Sequence, residues 1–386
     1  MAVTQRNYLI VALDTSLTAP GIVFKTLIPA IAQSGNITLL TEEHDPSMPL
    51  DNIRLIQLHD STEKWRWAKR KWRWLGFNPR DGRWARRTFR ENREVLLSEH
   101  YDVIIVLTSN GYYSALNLGK LLKEKLRCPY IIYSVDGMPS PIPWLGKDAD
   151  VHPKVSRGLN RLCSCANLFI LSNPMMQEYE KGIVKDFKGA WDYLYTPYRE
   201  LPDGFTMVPH EGFNILYAGS LYGLRKIDGL ANAFRRFLEI RPDARLIIVG
   251  DVWKQHKEYA RDLVDKGKII FKDTTLQIND YYAKADCLID IAADIPDDVF
   301  LSSKVICYLP YRLPIIAISG ANSPVSQIMG GLNSIMQSSN NADQILDALV
   351  KAQNINDCTD RKALLEEFSA KYLCKRFLSQ IETQLS

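Results

Sequence analysis

A chain of 386 residues is too long for one ordinary hydrophobic core and implies two domains. Its 46% hydrophobic and 24% charged content is that of a soluble globular protein, and a net charge of +4 is too mild to make the whole molecule a polyanion binder. The seven cysteines, odd in number and scattered from Cys128 to Cys374, do not read as a disulfide framework. Cys163 and Cys165 stand too close for a usual metal pair, with no His or Cys cluster after them, so the thiols read as reduced and the compartment as cytosolic. The apolar run near the N-terminus is too short for a signal or a membrane span.

In chain order, Asn7–Leu13 reads as the first strand, followed by the loop Asp14–Ile22 and a helix from Ile22 to about Gln33. Ile37–Leu40 and Asn52–Leu58 are the next strand candidates. A basic insertion and a polar helix near Thr88–Glu99 precede the strand Val103–Leu107. The helix Tyr113–Lys125, strand Tyr130–Ser134, helix Val155–Cys165, strand Leu168–Leu171 and a helix near Pro174–Lys181 complete the first half. Strands alternating with helices imply parallel β-structure in a doubly wound sheet.

The polar stretch Tyr198–Gly212, with prolines at 197, 202 and 209 in or beside it, reads as the linker. The pattern then restarts, with strands near 213–218, 244–249, 269–272, 287–291 and 314–317, and a long helical pattern over Arg361–Leu385. The expected organisation is a Rossmann-like domain at 1–205 with a basic Trp-rich insertion at 63–90, a second at 206–365, and a helix at 366–386 returning to the first. The fold class is therefore α/β, two Rossmann-like domains with parallel sheets facing across a cleft. Ligands in such sheets sit outside the carboxyl ends of the strands.

Two stretches of the second half carry the chemistry. In Phe213–Asp228 an apolar strand ends at Gly219-Ser220, and the basic pair Arg225-Lys226 follows before a helix. Small residues at a strand end let phosphates approach the backbone, and cations beside them match phosphate charge. The plainer reading is a βαβ crossover with solvated basic residues. In Phe300–Ser319, Ser302 and Ser303 suit a helix N-cap, and Lys304 begins a short apolar helix before Pro310 and Pro314. An ordinary capped helix is the alternative there. The two stretches support each other only if both meet at one site.

On these residues the chain resembles nucleotide-sugar glycosyltransferases of the GT-B fold, in particular the large retaining group of bacterial envelope synthesis (family 4-like). That group carries Gly-Arg-Leu, Lys-Gly and Val-Gly-Asp; this chain has Gly219-Ser220-Leu221, Arg225-Lys226 and Val249-Gly250-Asp251. The group's Ser-Lys-hydrophobic segment and Gly-x-Pro match Ser303-Lys304-Val305 and Arg312-Leu313-Pro314. Thr18-Ala19-Pro20-Gly21 resembles its Gly-rich acceptor-side loop. The motifs are degenerate: the paired glutamates of the group would fall near Val299 and Cys307, and its N-domain histidine is absent from Thr108-Ser109-Asn110.

The resemblance implies sugar transfer from a nucleotide-sugar donor, with charge on the departing diphosphate met by fixed cations and no obligatory metal or other cofactor. Arg225 and Lys304 are the candidate cations, and Gly21, Gly219, Ser220, Lys226, Ser302 and Ser303 the candidate donor-binding residues. Asp136, placed after Tyr130–Ser134, is the candidate base or acceptor-orienting group, although an aspartate before glycine is equally a turn residue. Asp14 is a rival, and Asp148-Ala-Asp150 has a metal-motif pattern without the matching context.

The segment Lys64–Arg90 holds five of the eight tryptophans and a single acid, Asp81. Trp65, Trp67, Arg70, Trp72 and Trp74 mark it as a membrane or acceptor contact, because Trp and Arg suit the headgroup region of an anionic bilayer. A single-stranded nucleic acid fits the same composition less well and is not the expected partner, and a solvated loop with inward tryptophans is the plain alternative. The expected function is a glycosyltransferase acting on a lipid-linked or cell-envelope glycan acceptor, cytoplasmic and peripherally bound to the inner membrane face. The alternatives are a non-catalytic protein of the same fold that binds a polyanion or membrane, and a nucleotide-sugar epimerase.

Overall fold

The computed structural model describes residues 6–16, 18–59, 79–110, 113–140, 151, 153–293 and 295–385. The chain divides into two compact units, one of Met1–Pro197 with Ala370–Ser386 and one of Tyr198–Ser369. The proline-rich stretch after Pro197 thus belongs to the second unit.

The first unit is built on a seven-stranded sheet of β1 (Arg6–Val11), β2 (Gly35–Thr41), β3 (Ile53–Gln57), β4 (Val103–Thr108), β5 (Tyr130–Ser134), β6 (Leu168–Leu171) and β7 (Ala190–Tyr193). Its spatial order is β3-β2-β1-β4-β5-β6-β7, and every neighbouring pair is parallel. The central strands are buried on both faces, which is why they read as unbroken apolar runs in the sequence. The first helix, Ala19–Ile31, begins earlier than its apolar spacing indicates, because the Thr18 hydroxyl accepts the Gly21 N–H and Pro20 sits in the first turn. Arg-rich sequence before Glu91 is helical over Pro79–Glu91, with a separate short helix at Arg93–Ser98, where a single helix at Thr88–Glu99 was expected. Asp81, Ala85 and Thr88 form the buried stripe of that first helix, and Asp81 accepts the Ser114 hydroxyl at 2.9 Å. Only the end of the Trp-rich segment falls within the described residues.

The second unit has β8 (Phe213–Ala218), β9 (Ala244–Val249), β10 (Ile269–Lys272), β11 (Cys287–Ile291), β12 (Ile315–Ile318) and β13 (Ile335–Ser338). The order is β10-β9-β8-β11-β12-β13, again all parallel. From their own first strand both sheets share the order 3-2-1-4-5-6 of a doubly wound nucleotide-binding fold, the first adding a seventh strand beside its sixth. Phe213, Ile215 and Tyr217 of β8 pack with Leu230, Phe234 and Phe237 of the helix Asp228–Ile240 and with Ile345 and Leu349 of the helix Ala342–Ala352. Each such side chain removed from water contributes about 1.5–3 kcal/mol, so this layer fixes β8 and the loop at its end.

The helical pattern over Arg361–Leu385 is divided. A short helix Lys362–Glu367 stays with the second unit, and Ala370–Leu385 belongs to the first. There Phe377 packs beside Tyr133 of β5, the Gln380 amide donates to the Tyr193 carbonyl, and Glu382 pairs with Arg6 at 2.7 Å.

Candidate functional site

Within the second unit, the two chemically distinctive stretches meet at the carboxyl end of β8. The Lys304 side chain runs directly across Gly219: a Cβ there would lie 2.1 Å from Lys304 Cε and 2.8 Å from Cδ. Only glycine leaves room for that path. Lys304 is delivered by the helix Ser303–Tyr308, which is tied to the strand end by the Tyr308 hydroxyl accepting the Ala218 N–H at 3.0 Å. Tyr217 lies beneath, its ring 5.8 Å from Lys304 Nζ and its hydroxyl donating to the Ser220 carbonyl at 2.9 Å.

The loops after β8 and β9 are bound to each other. The Leu221 N–H donates to the Asp251 carbonyl at 2.9 Å, and the Trp253 N–H returns to the Leu221 carbonyl at 3.1 Å. Gly250 makes this approach possible at φ 149°, where a Cβ would sit 2.4 Å from the Gly219 carbonyl oxygen. Arg225, on the first of these loops, stacks over the Tyr222 ring at 4.9 Å. Tyr222 and Trp253 are exposed neighbours, with ring centroids 6.4 Å apart. Lys226 is exposed and lines a pocket with Ala292, Ser319 and Asn340, which follow β11, β12 and β13.

A carboxylate completes the cluster. Asp290, 1% exposed in β11, places Oδ1 3.8 Å from Lys304 Nζ. Burial depresses the Lys304 ammonium pKa, Asp290 works against that, and Arg225 adds to the depression. Asp290 was not among the residues singled out from sequence, yet it carries a signal: it is the one charge inside the otherwise apolar strand Cys287–Ile291.

Ser302 stands at the N-cap of the helix Ser303–Tyr308, as expected, but its side chain makes no capping hydrogen bond, and Ser303 is exposed. Cys307, where the resembled family carries a glutamate, is one turn beyond Lys304, and burial pushes its thiol pKa up. Arg312, at the place of the family glycine, adopts φ 53°, the left-handed region that glycine enters freely.

The remaining candidates lie in the first unit. Asp136 follows β5, half-buried, with the Ser134 hydroxyl donating to its carbonyl at 2.6 Å. The loop after it is held by the helix Pro174–Ile183: Glu180 accepts the Met138 N–H at 2.9 Å, and the Tyr179 hydroxyl donates to the Pro139 carbonyl at 2.9 Å. Asp14 is buried and accepts the Ser16 N–H, the Ser16 hydroxyl and the Thr18 hydroxyl at 2.6–2.9 Å, so it organises its own loop. The glycine at position 21 is explained by the same loop, since a Cβ would lie 2.6 Å from the Ser16 carbonyl oxygen. Trp65, Trp67, Arg70, Trp72 and Trp74, with Asp148 and Asp150, lie outside the described residues.

Comparisons with known proteins bear on the second unit and on the fold. Residues 212–354 match the family model described as glycosyl transferases group 1. This match spans β8 to the helix Ala342–Ala352 and so contains Gly219, Arg225, Asp290 and Lys304. The enzyme class implied by the motifs, a glycosyltransferase, rests on it. No curated protein sequence matches the chain. Among solved structures, a glycosyltransferase from Rickettsia africae has TM-score 0.69 and 13% identity, covering 99% of each chain. Sucrose-phosphate synthase from Thermosynechococcus elongatus has TM-score 0.68 and 14% identity, again over 99% of each chain. Anabaena HepE, in complex with UDP and glucose, has TM-score 0.63 and 12% identity, covering 98% of this chain and 100% of its own. At such identities the likeness establishes the fold, two Rossmann-like domains of the GT-B kind.

Proposed function

We propose that the protein moves a sugar from a nucleotide-sugar donor to a lipid-linked or cell-envelope glycan acceptor at the cytoplasmic face of a membrane. The observation that carries the donor half is the path of Lys304 over Gly219 beside Arg225, at the carboxyl end of β8. Two cations and a strand-end backbone stripped of side chains suit a diphosphate. As the glycosidic bond breaks, negative charge accumulates on that diphosphate, and fixed cations stabilise it without reorganising. Lys226, Ser220, Ser302 and Ser303 extend the donor surface in this reading, and Asp136 orients or deprotonates the acceptor hydroxyl. Binding of UDP by Anabaena HepE, a protein of the same fold, supports the donor class.

The acceptor half is supported by the helix Pro79–Glu91, which buries Asp81, Ala85 and Thr88 and leaves Arg80, Arg83, Arg86, Arg87 and Arg90 exposed. No described helix is long and apolar enough to cross a membrane, so contact with a bilayer in this reading is peripheral.

Calorimetry with UDP tests the donor site. Lys304→Ala and Arg225→Ala are each expected to weaken binding at least tenfold, as loss of a charge-assisted contact of about 1.5–3 kcal/mol requires. Unchanged affinity in both variants removes the phosphate assignment. Cys307 in place of the family glutamate favours a second reading, a domain that binds the nucleotide without transfer; sugar-dependent UDP release in the presence of envelope acceptors separates the two.

A further inference from the structure

We infer that Asp290 is a positioning residue for Lys304, holding its ammonium charged and above Gly219 so that it meets the diphosphate of the donor. The inference rests on the phosphate reading above and adds a residue to it.

Three observations carry it. A carboxylate that is 1% exposed inside an apolar strand is costly unless a cation faces it, and Lys304 is the cation 3.8 Å away. At that separation the pair attracts without a direct hydrogen bond, and Asp290 Oδ1 has no hydrogen-bond partner among the described residues. Lys304 Nζ likewise donates none among the described residues, so its three donors remain available to an anion. The exposures are unequal, 16% for the Lys304 side chain against 1% for Asp290. An incoming diphosphate therefore meets the ammonium first, while the carboxylate stays behind it, beneath the strand end.

The other groups around the ammonium do not supply this function. Arg225 opposes the second charge, and the Tyr217 ring is neutral. The Tyr308 hydroxyl is engaged with Ala218, and the Cys307 thiol is held protonated by burial. Asp290 is the leading group among the described neighbours that favours a protonated lysine beside an arginine, ahead of the smaller effect of Cys307.

The test follows the Lys304 charge directly. The titration of Lys304 is read from its 13Cε resonance, assigned with Lys304→Arg, in the full-length protein and in Asp290→Asn. The expected result is a fall in the Lys304 pKa of at least one unit in the variant. The alkaline limb of UDP affinity against pH is expected to move acidward by the same amount, and to vanish in Lys304→Arg, whose guanidinium does not titrate in this range. Asp290→Ser, smaller and still polar, carries the same expectation where Asp290→Asn does not fold. An unchanged Lys304 titration overturns the inference even if UDP binds. If the unaltered protein binds no UDP, the phosphate reading falls instead, and the resonance still decides the role of Asp290.

Discussion

Gly219 shows how a single missing side chain organises this site. The atoms that a Cβ would strike belong to the stem of Lys304, a flexible chain, and not to backbone. Gly219→Ala is therefore expected to displace the lysine rather than break the strand. Thermal denaturation should move by only a few degrees, while UDP affinity falls about as far as in Lys304→Ala. A large loss of stability with UDP affinity retained in the folded fraction would show that Lys304 takes another path. The residues of this cluster differ in how legible they are. Gly219 and Arg225 stand out in sequence because small and basic residues follow an apolar strand, and Lys304 because it opens a short apolar helix after two serines, although each pattern alone also fits an ordinary crossover or capped helix. Asp290 is hidden because it sits inside the strand itself, where a pattern search counts apolar positions and passes over the one charge. The glycine at position 21 has a different lesson: it answers to the crowding of Ser16 and Thr18 in its own loop, a contact between turns that spacing does not reveal.

At the scale of elements, the helix Pro174–Ile183 clamps the loop that carries Asp136, and it does so with a group that titrates. Glu180 is fully buried, accepts the Met138 N–H through one oxygen and has no partner for the other among the described residues. Burial pushes its carboxyl up to about 8 from 4.5, against the smaller opposing effect of the Met138 hydrogen bond. The folded state therefore holds a proton that the unfolded chain releases above pH 4.5. This contribution to stability is complete below pH 4.5 and is lost as pH rises to about 8, on the order of 3–5 kcal/mol in all. Glu180→Gln, which keeps an oxygen for Met138 and cannot ionise, is expected to lose that slope. Urea denaturation at pH 5, 6.5 and 8 should show the two proteins diverging as pH rises, the variant being the more stable at pH 8. Parallel curves would mean that Glu180 is already ionised in the fold. Element by element, the buried parallel strands match their sequence patterns closely, because a strand covered on both faces must be apolar throughout. Of the strands in the two main sheets, the two that escaped, β7 and β13, are edge strands and half-buried. The helix Pro79–Glu91 escaped for a related reason: its buried stripe is Asp81, Ala85 and Thr88, which a hydrophobic period does not detect.

For the molecule as a whole, the repeated strand order shows one architectural plan used twice on unrelated sequence, with the final helix given back to the first unit. Charge is distributed less evenly than the net value of +4 indicates, because the Arg side chains of the helix Pro79–Glu91 are all exposed and the helix follows a Trp-rich stretch in the sequence. Each basic residue near an anionic bilayer contributes about 1 kcal/mol, and the attraction fades over a Debye length of roughly 8 Å at physiological salt. Arg87 is partly neutralised by Glu91 at 2.7 Å and Arg80 is engaged by another group, which leaves Arg83, Arg86 and Arg90 as the more effective contacts in the proposed membrane reading. Reversing all three to Glu is expected to abolish flotation with vesicles containing anionic lipid, and Trp67→Ser with Trp74→Ser to weaken it. Binding of the unaltered protein should fall steeply between 50 and ~300 mM salt and be absent on neutral vesicles. UDP affinity, which the proposed donor site places in the other unit, should be untouched by these changes. Flotation that ignores both the charge reversal and the salt would rule out the electrostatic contact and leave the arginine face as a solvated helix surface.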